Sequence, residues 1–251
     1  MRKRGPARPG RILAVDIGGT KLKVLATGET EPRKAKSGPE LTPDRMVDLV
    51  RKLAEGWRYD AVSIGLPSQM GADGPAAEPG NLGPGWVGFD YAAAFGCPVR
   101  IVNDAAMQAL GCYDGGRMLF LGLGTGVGSA LIADHVLVAL ELGDLHFDEA
   151  GSVSDMLGRD ALEKEGKKTW RKAVFALVPP LQKAFLADYV MLGGGNAKHL
   201  GKKLPPGVRL GSNLTAFRGG YRLWGIDDVP TMKVNGARRP KAAAVNDWRV
   251  L

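Results

Sequence analysis

One stretch near the start of the sequence decides the fold: Arg11-Ile-Leu-Ala-Val-Asp16-Ile-Gly18-Gly19-Thr20-Lys21. Its apolar run from Ile12 to Ile17 is too short for an amphipathic helix and too apolar for a solvated loop, which indicates a buried strand. The strand ends in an aspartate and two glycines, so a carboxylate, a hydroxyl and several backbone N–H groups meet at one corner. Such a corner suits a phosphate group, because glycine has no Cβ to block its approach. An ordinary tight hairpin explains the same residues equally well.

Length and composition are those of a soluble globular protein, with 251 residues, 45% hydrophobic and 24% charged. No apolar run reaches the length of a membrane span. The charged start, Met1 to Arg4, is followed by Gly and Pro instead of an apolar segment, which argues against a secretory signal. Cys97 and Cys112 do not belong to a Cys/His metal spacing. We therefore expect a reduced, cytoplasmic protein without a membrane partner and without structural zinc.

The formal net charge of +8 would suit an anionic partner. The basic residues are nevertheless scattered along the sequence. The densest segment, Lys164 to Lys172, is interpreted as a solvated helix face in preference to a binding patch.

Local patterns predict alternating helices and strands after the opening turn. Thr42-Pro43-Asp44 is typical of a helix start, with Thr as N-cap and Pro at the first helical position, and the predicted helix ends at Gly56. A buried strand is predicted from Asp60 to Gly65. The following Gly- and Pro-rich stretch is long enough to suggest a functional loop. Within it, Asn81 and Trp86 offer either an amide and a flat wall to a polar ligand, or an Asx-turn and a core aromatic.

A third apolar strand ends in Asn103-Asp104 and passes directly into an Ala-rich helix. Asp104 can be the N-cap of that helix. It can equally be a general base at the carboxyl end of a strand, where α/β sheets place their ligands. Both roles can hold at once.

Two further glycine turns repeat the opening pattern. Leu123-Gly-Thr-Gly126 lies between two apolar strands, so a second strand–turn–strand phosphate site is predicted. Its recurrence after an intervening α/β unit suggests an internal duplication of two similar lobes. Leu192-Gly-Gly-Gly195-Asn196 is predicted to join a strand to a helix running through His199, whose N-terminus would attract phosphate or nucleoside groups.

Taken in order and spacing, these motifs resemble the ROK family of sugar kinases and sugar-responsive repressors, which belongs to the actin-like, ribonuclease-H-like ATPase class. The resemblance covers about residues 11 to 225 and rests on Asp16 to Lys21, Asn103-Asp104 and the glycine turns at 123–126 and 192–195. Asn81 to Trp86 and Glu141 to Gly143 bring the chain closest to the polyphosphate/ATP glucokinase branch. Each turn is individually weak, whereas the ordered set is specific.

The resemblance implies a role for each matching position. Mg²⁺ would be held by Asp16 through water. The donor phosphates would be held by Asp16, Gly18, Gly19, Thr20 and Lys21, facing Gly124, Thr125 and Gly126. The nucleotide end would be lined by Gly193, Gly194, Gly195 and Asn196. The sugar hydroxyls would be held by Asn81, Asn103, Asp104, Glu141 and Asp144. Asp104 would take the proton from the attacking 6-hydroxyl, which agrees with a chemistry that relies mostly on positioning and charge stabilisation.

The sequence departs from the family pattern in three places. The family's zinc-binding cysteine cluster is missing, as it is in the polyphosphate branch. Pro67-Ser68 stands where Pro-Gly is usual, which adds a hydroxyl beside the predicted sugar site. Asp144 stands where the family's Glu-Leu-Gly-His pattern has histidine, and His146 lies two residues further on. An acid beside Asp104 and Glu141 would raise the pKa of one of these carboxyls and provides no hydrogen-bond donor at neutral pH.

The predicted fold is α/β, a two-lobed actin-like (ribonuclease H-like) ATPase fold with a central cleft. The first lobe is predicted over 11–104 and the second over 105–225, including a closing helix within 212–224. Residues 226–251, which lack periodicity, are predicted to form a flexible tail.

Three classes of function are compatible with these features. The first is a kinase that transfers phosphate from polyphosphate or ATP to glucose or a similar hexose. The second, a repressor of the same family, needs a DNA-binding domain before the kinase fold, and only 15 residues precede Asp16, so no DNA partner is expected. The third is a catalytically impaired sugar-binding protein, which Ser68 and Asp144 favour. The donor, the preferred hexose and the oligomeric state, including a homodimer, are left open.

Overall fold

The computed structural model describes residues 9–147, 151–212, 214–228, 243–244 and 248–251. Its helices are α1 (Pro43–Leu53), α2 (Tyr91–Phe95), α3 (Asp104–Cys112), α4 (Val153–Leu157), α5 (Arg159–Ala184) and α6 (Thr215–Arg222). Its strands in the first part of the chain are β1 (Ile12–Ile17), β2 (Lys21–Ala26), β3 (Arg33–Lys36), β4 (Ala61–Leu66), β5 (Met70–Gly71), β6 (Gly74–Pro75) and β7 (Val99–Asn103). The later strands are β8 (Met118–Leu123), β9 (Val127–Ala133), β10 (Val136–Leu140), β11 (Tyr189–Gly193), β12 (Val208–Leu210), β13 (Ile226–Asp227), β14 (Ala243–Ala244) and β15 (Arg249–Val250).

The first sheet is built around β1, which is buried along its whole length, as its apolar sequence predicts. The strand order is β3-β2-β1-β4-β7. Strands β1, β2 and β3 form antiparallel hairpins, whereas β4 and β7 continue the sheet in parallel on the other side of β1. This arrangement brings the carboxyl ends of β1, β4 and β7 to the same edge of the sheet.

The second sheet repeats this topology, with the order β12-β11-β8-β9-β10-β15. Strands β8, β9 and β10 are antiparallel neighbours, and β11 and β12 extend the sheet in parallel from β8. The glycine turn between β8 and β9 therefore corresponds to the turn between β1 and β2. This shared strand order agrees with the internal duplication that the two turns indicate.

Helices α3 and α6 connect the two sheets. Helix α6, predicted from the sequence as the closing helix, buries Phe217 and Tyr221 against Ile12, Ala14 and Leu25 of the first sheet. It crosses α3 so closely that a Cβ on Gly111 would overlap the backbone of α6, and a Cβ on Gly219 would overlap that of α3. The two helices are thus packed backbone to backbone.

The predicted tail is wrong for several residues of 226–251. Strand β13 pairs with β14, and β15 pairs in parallel with β10. The Arg249 N–H donates to His135 O, and the Leu251 N–H donates to Leu137 O. Because β10 would otherwise present unpaired backbone groups at the sheet edge, even a two-residue strand can pair there. Residues 229–242 and 245–247 lie outside the described residues. Within the described helices, none is long and apolar enough to cross a membrane.

Candidate active site

The turn after β1 holds its aspartate in a partly closed corner. Asp16 is only 5% exposed, and its Oδ2 accepts a hydrogen bond from Lys23 Nζ at 2.8 Å across the β1–β2 hairpin. The Gly18 N–H donates to Lys21 O at 3.0 Å, and the Ser37 hydroxyl donates to Gly18 O at 2.5 Å. The turn is therefore fixed by the strands on both sides of it, and Lys23 is a partner of Asp16 that the sequence motifs did not single out.

The two glycines of this turn leave space for neighbouring groups to approach the backbone, and they are not needed for a left-handed backbone conformation. Neither Gly18 nor Gly19 has a positive φ. A Cβ on Gly19 would lie 3.4 Å from Cβ of Asn81, whereas Gly18 would meet only the Lys21 carbonyl oxygen at 3.5 Å. Thr20, which follows Gly19, and Asn81 are both exposed. The structure thus brings the predicted sugar-binding Asn81 to the predicted phosphate turn.

The second and third glycine turns are joined by one side chain. Asn196 is nearly buried, and its Nδ2 donates to Gly124 O at 2.9 Å while its backbone N–H donates to Leu123 O at 3.0 Å. Gly194 has a φ of 81° and leaves no room for a Cβ against the backbone of Leu123. Thr125 is exposed at the tip of the second turn. These two turns therefore form one continuous surface of backbone groups.

The predicted helix after the third turn is wrong. The chain forms only a short 3-10 segment, Ala197–His199. A segment of this length lacks the aligned peptide dipoles of an α-helix, so its start offers individual backbone groups and not a helix N-terminus.

Asp104 lies in the first turn of α3, at the end of β7. Asn103 is the N-cap, because its Oδ1 accepts from the Ala105 and Ala106 N–H groups at 2.9 and 3.2 Å. The alternative in which Asp104 itself is the N-cap is therefore wrong, although its Oδ1 also accepts from the Ala105 N–H at 2.8 Å.

The pKa of Asp104 is raised to about 7. Burial of the carboxyl group is the largest cause, followed by the negative charge of Asp16; Glu141 adds to the effect, and the hydrogen bond from the Ala105 N–H opposes it. Residue 104 as a whole is partly exposed, but its carboxyl group is enclosed by protein. A carboxylate with this pKa is suited to accept a proton near neutral pH.

Two glycines that the motif analysis missed allow α3 to begin between the two sheets. A Cβ on Gly65 of β4 would lie 2.6 Å from Met107 Cε and 3.3 Å from Asp104 Cα. On the other side, a Cβ on Gly128 of β9 would lie 2.6 Å from Ala105 Cβ. The contact at Gly128 leaves no room for a side chain, whereas at Gly65 the flexible end of Met107 would have to move, and only knowledge of the tertiary packing could have identified the two positions.

The residues predicted around the sugar have different surroundings. Asn103 Nδ2 donates to Ser68 O at 3.2 Å, so this side chain is largely engaged by the protein. The Ser68 hydroxyl donates to Ala77 O at 2.5 Å, which directs it to the segment that follows β6. Trp86 is fully buried and donates from Nε1 to Gly83 O, which identifies it as the core aromatic of the two alternatives.

Glu141 and Asp144 lie at either end of a single 3-10 turn (Leu142–Asp144) after β10. The pKa of Glu141 is raised, first by burial and then by the neighbouring charge of Asp144. Asp144 is exposed, and its backbone oxygen receives a hydrogen bond from the His146 ring Nδ1 at 2.8 Å, with the proton on that nitrogen. The negative charge of Asp144 therefore acts on Glu141, whereas the charges that raise the pKa of Asp104 are those of Asp16 and Glu141.

The chemistry of the donor set fits a magnesium ion held through water. Oδ2 of Asp16 accepts a hydrogen bond from Lys23 Nζ, and Oδ1 of Asp16 has no hydrogen-bond partner among the described residues. Across the described ranges, no group of three or more His, Cys, Asp or Glu side chains converges as a metal site. Magnesium commonly binds through one or two carboxylates, water and substrate phosphates, so a single available carboxylate oxygen is compatible with it.

No protein-family model matches the chain. Among curated proteins, polyphosphate glucokinase of Mycobacterium tuberculosis is 25% identical over 218 residues, which covers 76% of this chain and 80% of that protein. The bifunctional enzyme NanE/NanK of Brucella melitensis is 30% identical over 141 residues, which covers 51% of this chain and 27% of that protein.

Solved structures are similar over most of the chain. The inorganic polyphosphate/ATP-glucomannokinase from Arthrobacter sp. gives a TM-score of 0.71 at 22% identity, covering 83% of this chain and 96% of that chain. A ROK family glucokinase from Streptomyces griseus, solved with glucose and AMPPNP, gives 0.65 at 18% identity, covering 84% and 97%. The fold is therefore the mixed α/β fold of these kinases. The resemblance to ROK sugar kinases near the polyphosphate glucokinase branch is confirmed.

Proposed function

We propose that the protein is a sugar kinase that transfers a phosphoryl group from ATP or polyphosphate to the 6-hydroxyl of glucose or a similar hexose. The observation that carries the proposal is Asp104, a carboxyl group with a pKa of about 7 that lies at the junction of the two sheets and is influenced by Asp16 and Glu141. The similarity to polyphosphate glucokinase and to polyphosphate/ATP-glucomannokinase supports the same reaction.

The reaction requires a proton acceptor and a set of groups that bind the donor phosphates. The sugar 6-oxygen attacks the terminal phosphorus, an O–P bond forms, and the bond from that phosphorus to the rest of the donor breaks. Asp104 takes the hydroxyl proton as the bond forms. Phosphates would rest on the turns at 18–21, 124–126 and 193–196. Magnesium, held through water by Asp16, would offset their negative charge.

The sugar would lie in a cleft between two lobes, one around each sheet. Asn81 belongs to the first sheet's loops, Glu141 follows β10 of the second sheet, and Asp104 lies between them. A ligand that contacts all three would draw the lobes together and exclude water, which limits wasteful hydrolysis of the donor.

A catalytically impaired sugar-binding protein is the second candidate. Asp144 favours it, because an exposed carboxylate stands where the related kinases would supply a histidine donor. Ser68 no longer favours it, since its hydroxyl is bonded to the Ala77 carbonyl oxygen.

A coupled assay separates the two candidates. Glucose is offered with ATP or with polyphosphate, glucose 6-phosphate is measured, and glucose binding is followed in parallel by calorimetry. We expect turnover with at least one donor. Glucose binding without product from either donor would establish the impaired protein, and neither binding nor product would contradict both candidates.

A further inference from the structure

Four lysines line one face of the β2–β3 hairpin. The register places Lys21 opposite Lys36 and Lys23 opposite Lys34. Residues two apart on a strand point to the same side, so all four side chains share one face of the sheet. We call this set, Lys21, Lys23, Lys34 and Lys36, the lysine ladder. Its members are up to 15 positions apart in the sequence, so the cluster is not visible until the strands are paired.

The positive charge of the ladder is mostly uncompensated within the protein. Lys23 pairs with Asp16 at 2.8 Å. In the part of the chain that the structure describes, no carboxylate lies within 4 Å of the amino groups of Lys21, Lys34 or Lys36. Like charges directly opposite each other destabilise a sheet. A bound anion would remove this repulsion, which makes the ladder a candidate ligand surface.

Arg33, in the same strand as Lys34 and Lys36, makes structural contacts that these lysines lack. Arg33 pairs with Val24, so it points to the opposite face of the sheet. There it lies 4.1 Å above the centre of the Trp57 ring and donates to the backbone oxygens of Leu53 and Glu55. Lys34 and Lys36 are exposed and make no such contacts among the described residues.

The ladder is continuous with the first phosphate turn. Lys21 directly follows Thr20, and Ser37, which follows Lys36, bonds to Gly18 O through its hydroxyl and to Thr20 O through its N–H. The rung formed by Lys21 and Lys36 therefore adjoins the turn. The second rung, Lys23 and Lys34, lies two residues further along each strand, about 7 Å away.

We propose that the lysine ladder binds an inorganic polyphosphate chain whose reacting end lies at the Gly18–Thr20 turn. The proposal rests on the proposed function, because it extends the donor site of that reaction. The phosphates of a nucleotide occupy the turn itself, whereas a longer chain continues past it and reaches Lys34 and Lys36. The ladder presents ammonium groups without an aromatic side chain between them, which suits a bare phosphate chain better than the stacked bases of a single-stranded nucleic acid.

The test removes the outer charges and leaves the turn intact. The variant Lys34→Gln/Lys36→Gln is compared with Lys52→Gln/Lys172→Gln, which removes the same charge from exposed positions on α1 and α5. Binding of fluorescently labelled polyphosphate is measured over a range of salt concentrations. We expect the ladder variant to bind on the order of tenfold more weakly at low salt. Its affinity should also depend less steeply on salt, because polyphosphate releases fewer counterions when it binds to fewer lysines. The control should bind like the native protein.

Turnover with ATP distinguishes a failure of this proposal from a failure of the proposed function. ATP-dependent phosphorylation of glucose should be equal in the native protein and in both variants. The proposal that the ladder binds polyphosphate would be overturned if the two variants had the same polyphosphate affinity, or if the native protein did not bind polyphosphate. Neither result would contradict the kinase reaction. The ladder would equally be overturned by a single-stranded oligonucleotide of matched charge that displaces polyphosphate at lower concentration. Absence of turnover with both donors would instead contradict the proposed function.

Discussion

At the scale of single residues, Asp104 combines a chemical advantage with a cost in stability. Its carboxyl group is enclosed and lies near Asp16 and Glu141, which raises its pKa to about 7. The same surroundings disfavour its charged form in the folded protein. The folded-state pKa lies above that of the unfolded chain, so the folded state binds the proton more tightly. This contribution to stability is complete below about pH 4 and is lost as the pH rises through about 7.

Replacement of Asp104 by Asn should therefore change activity and stability in opposite directions. We expect kcat to fall by roughly 10² or more, because the proton acceptor is removed, while glucose binding changes little. The melting temperature of the variant relative to the native protein should be higher at pH 8 than at pH 5. Asp73→Asn, at an exposed position, is the control for the loss of a carboxylate. Near-normal turnover would contradict the assignment of the base, and a melting difference independent of pH would contradict the raised pKa.

The sequence indicates the candidate site residues more readily than the residues that support them. Asp16 and Asn103 lie at the carboxyl ends of β1 and β7, Asp104 begins α3, and the apolar runs that precede them are visible in the sequence. The partner of Asp16, Lys23, is set by the register of the β1–β2 hairpin, and the role of Gly65 is set by the position of α3. Neither signal is local. The distinction between Asn103 and Asp104 as N-cap likewise depends on side-chain geometry, since both residue types are favoured there.

At the scale of helices and strands, the crossing of α3 and α6 holds the site together. Gly111 and Gly219 remove the side chains that would separate the two backbones. Arg222, which is 6% exposed, donates to Leu110 O and Tyr113 O at the end of α3 and pairs with Asp227 at 3.0 Å. Because Asp104 begins α3, any displacement of this crossing also displaces the proposed base.

The variant Gly219→Ala tests this crossing. Alanine is the better helix former by about 1 kcal/mol, so an isolated helix would gain from the change. In this protein the added methyl group overlaps the α3 backbone at Met107, and we expect a net destabilisation of about 1–3 kcal/mol. Thermal unfolding should show a melting temperature lower by about 2–4 °C for each kcal/mol. Gly80→Ala, at a position with no atom within 4 Å of the added carbon, should change it little. A stabilised Gly219→Ala variant would show that the two helices do not pack this closely.

The predicted elements were most accurate where one pattern dominated. The apolar run of β1 and the Thr-Pro-Asp start of α1 both appear where the sequence places them. The predictions failed for short segments. The three residues of Ala197–His199 and the paired strand β15 are too short to carry a period, and only their tertiary partners determine their conformation.

At the scale of the whole molecule, the proposed sugar site lies between the two sheets, so a bound sugar should stabilise both together. At a glucose concentration of one hundred times Kd, binding contributes about 2.7 kcal/mol. For a chain of this size we expect the melting temperature to rise by roughly 5–10 °C in a single transition. The same concentration of L-glucose, which has identical solvent effects and the opposite handedness, is the control. An equal rise with both sugars, or a second transition that glucose leaves in place, would contradict a site shared by the two sheets.

The overall architecture could be predicted because the motifs occur in a fixed order along the chain. The repeated glycine turns also indicated the duplication, and five strands of the second sheet have the same order as the five strands of the first, with β15 added at one edge. The lysine ladder could not be predicted in this way. It requires the register of β2 with β3, and strand β3, in which three of the four residues are basic, carries no apolar pattern of its own.

The packing of α6 on the first sheet also constrains the order in which a newly made chain can fold. The Tyr221 hydroxyl bonds to the backbone oxygen of Leu25, 196 residues earlier. At synthesis rates of about 5–20 residues per second, β1 and β2 leave the ribosome roughly 10–40 s before the helix that covers them. During that interval Ile12, Ala14 and Leu25 have no native cover from Phe217 and Tyr221. The first sheet therefore completes its core only after α6 has been synthesised, and until then this apolar face is covered by other contacts or exposed to water.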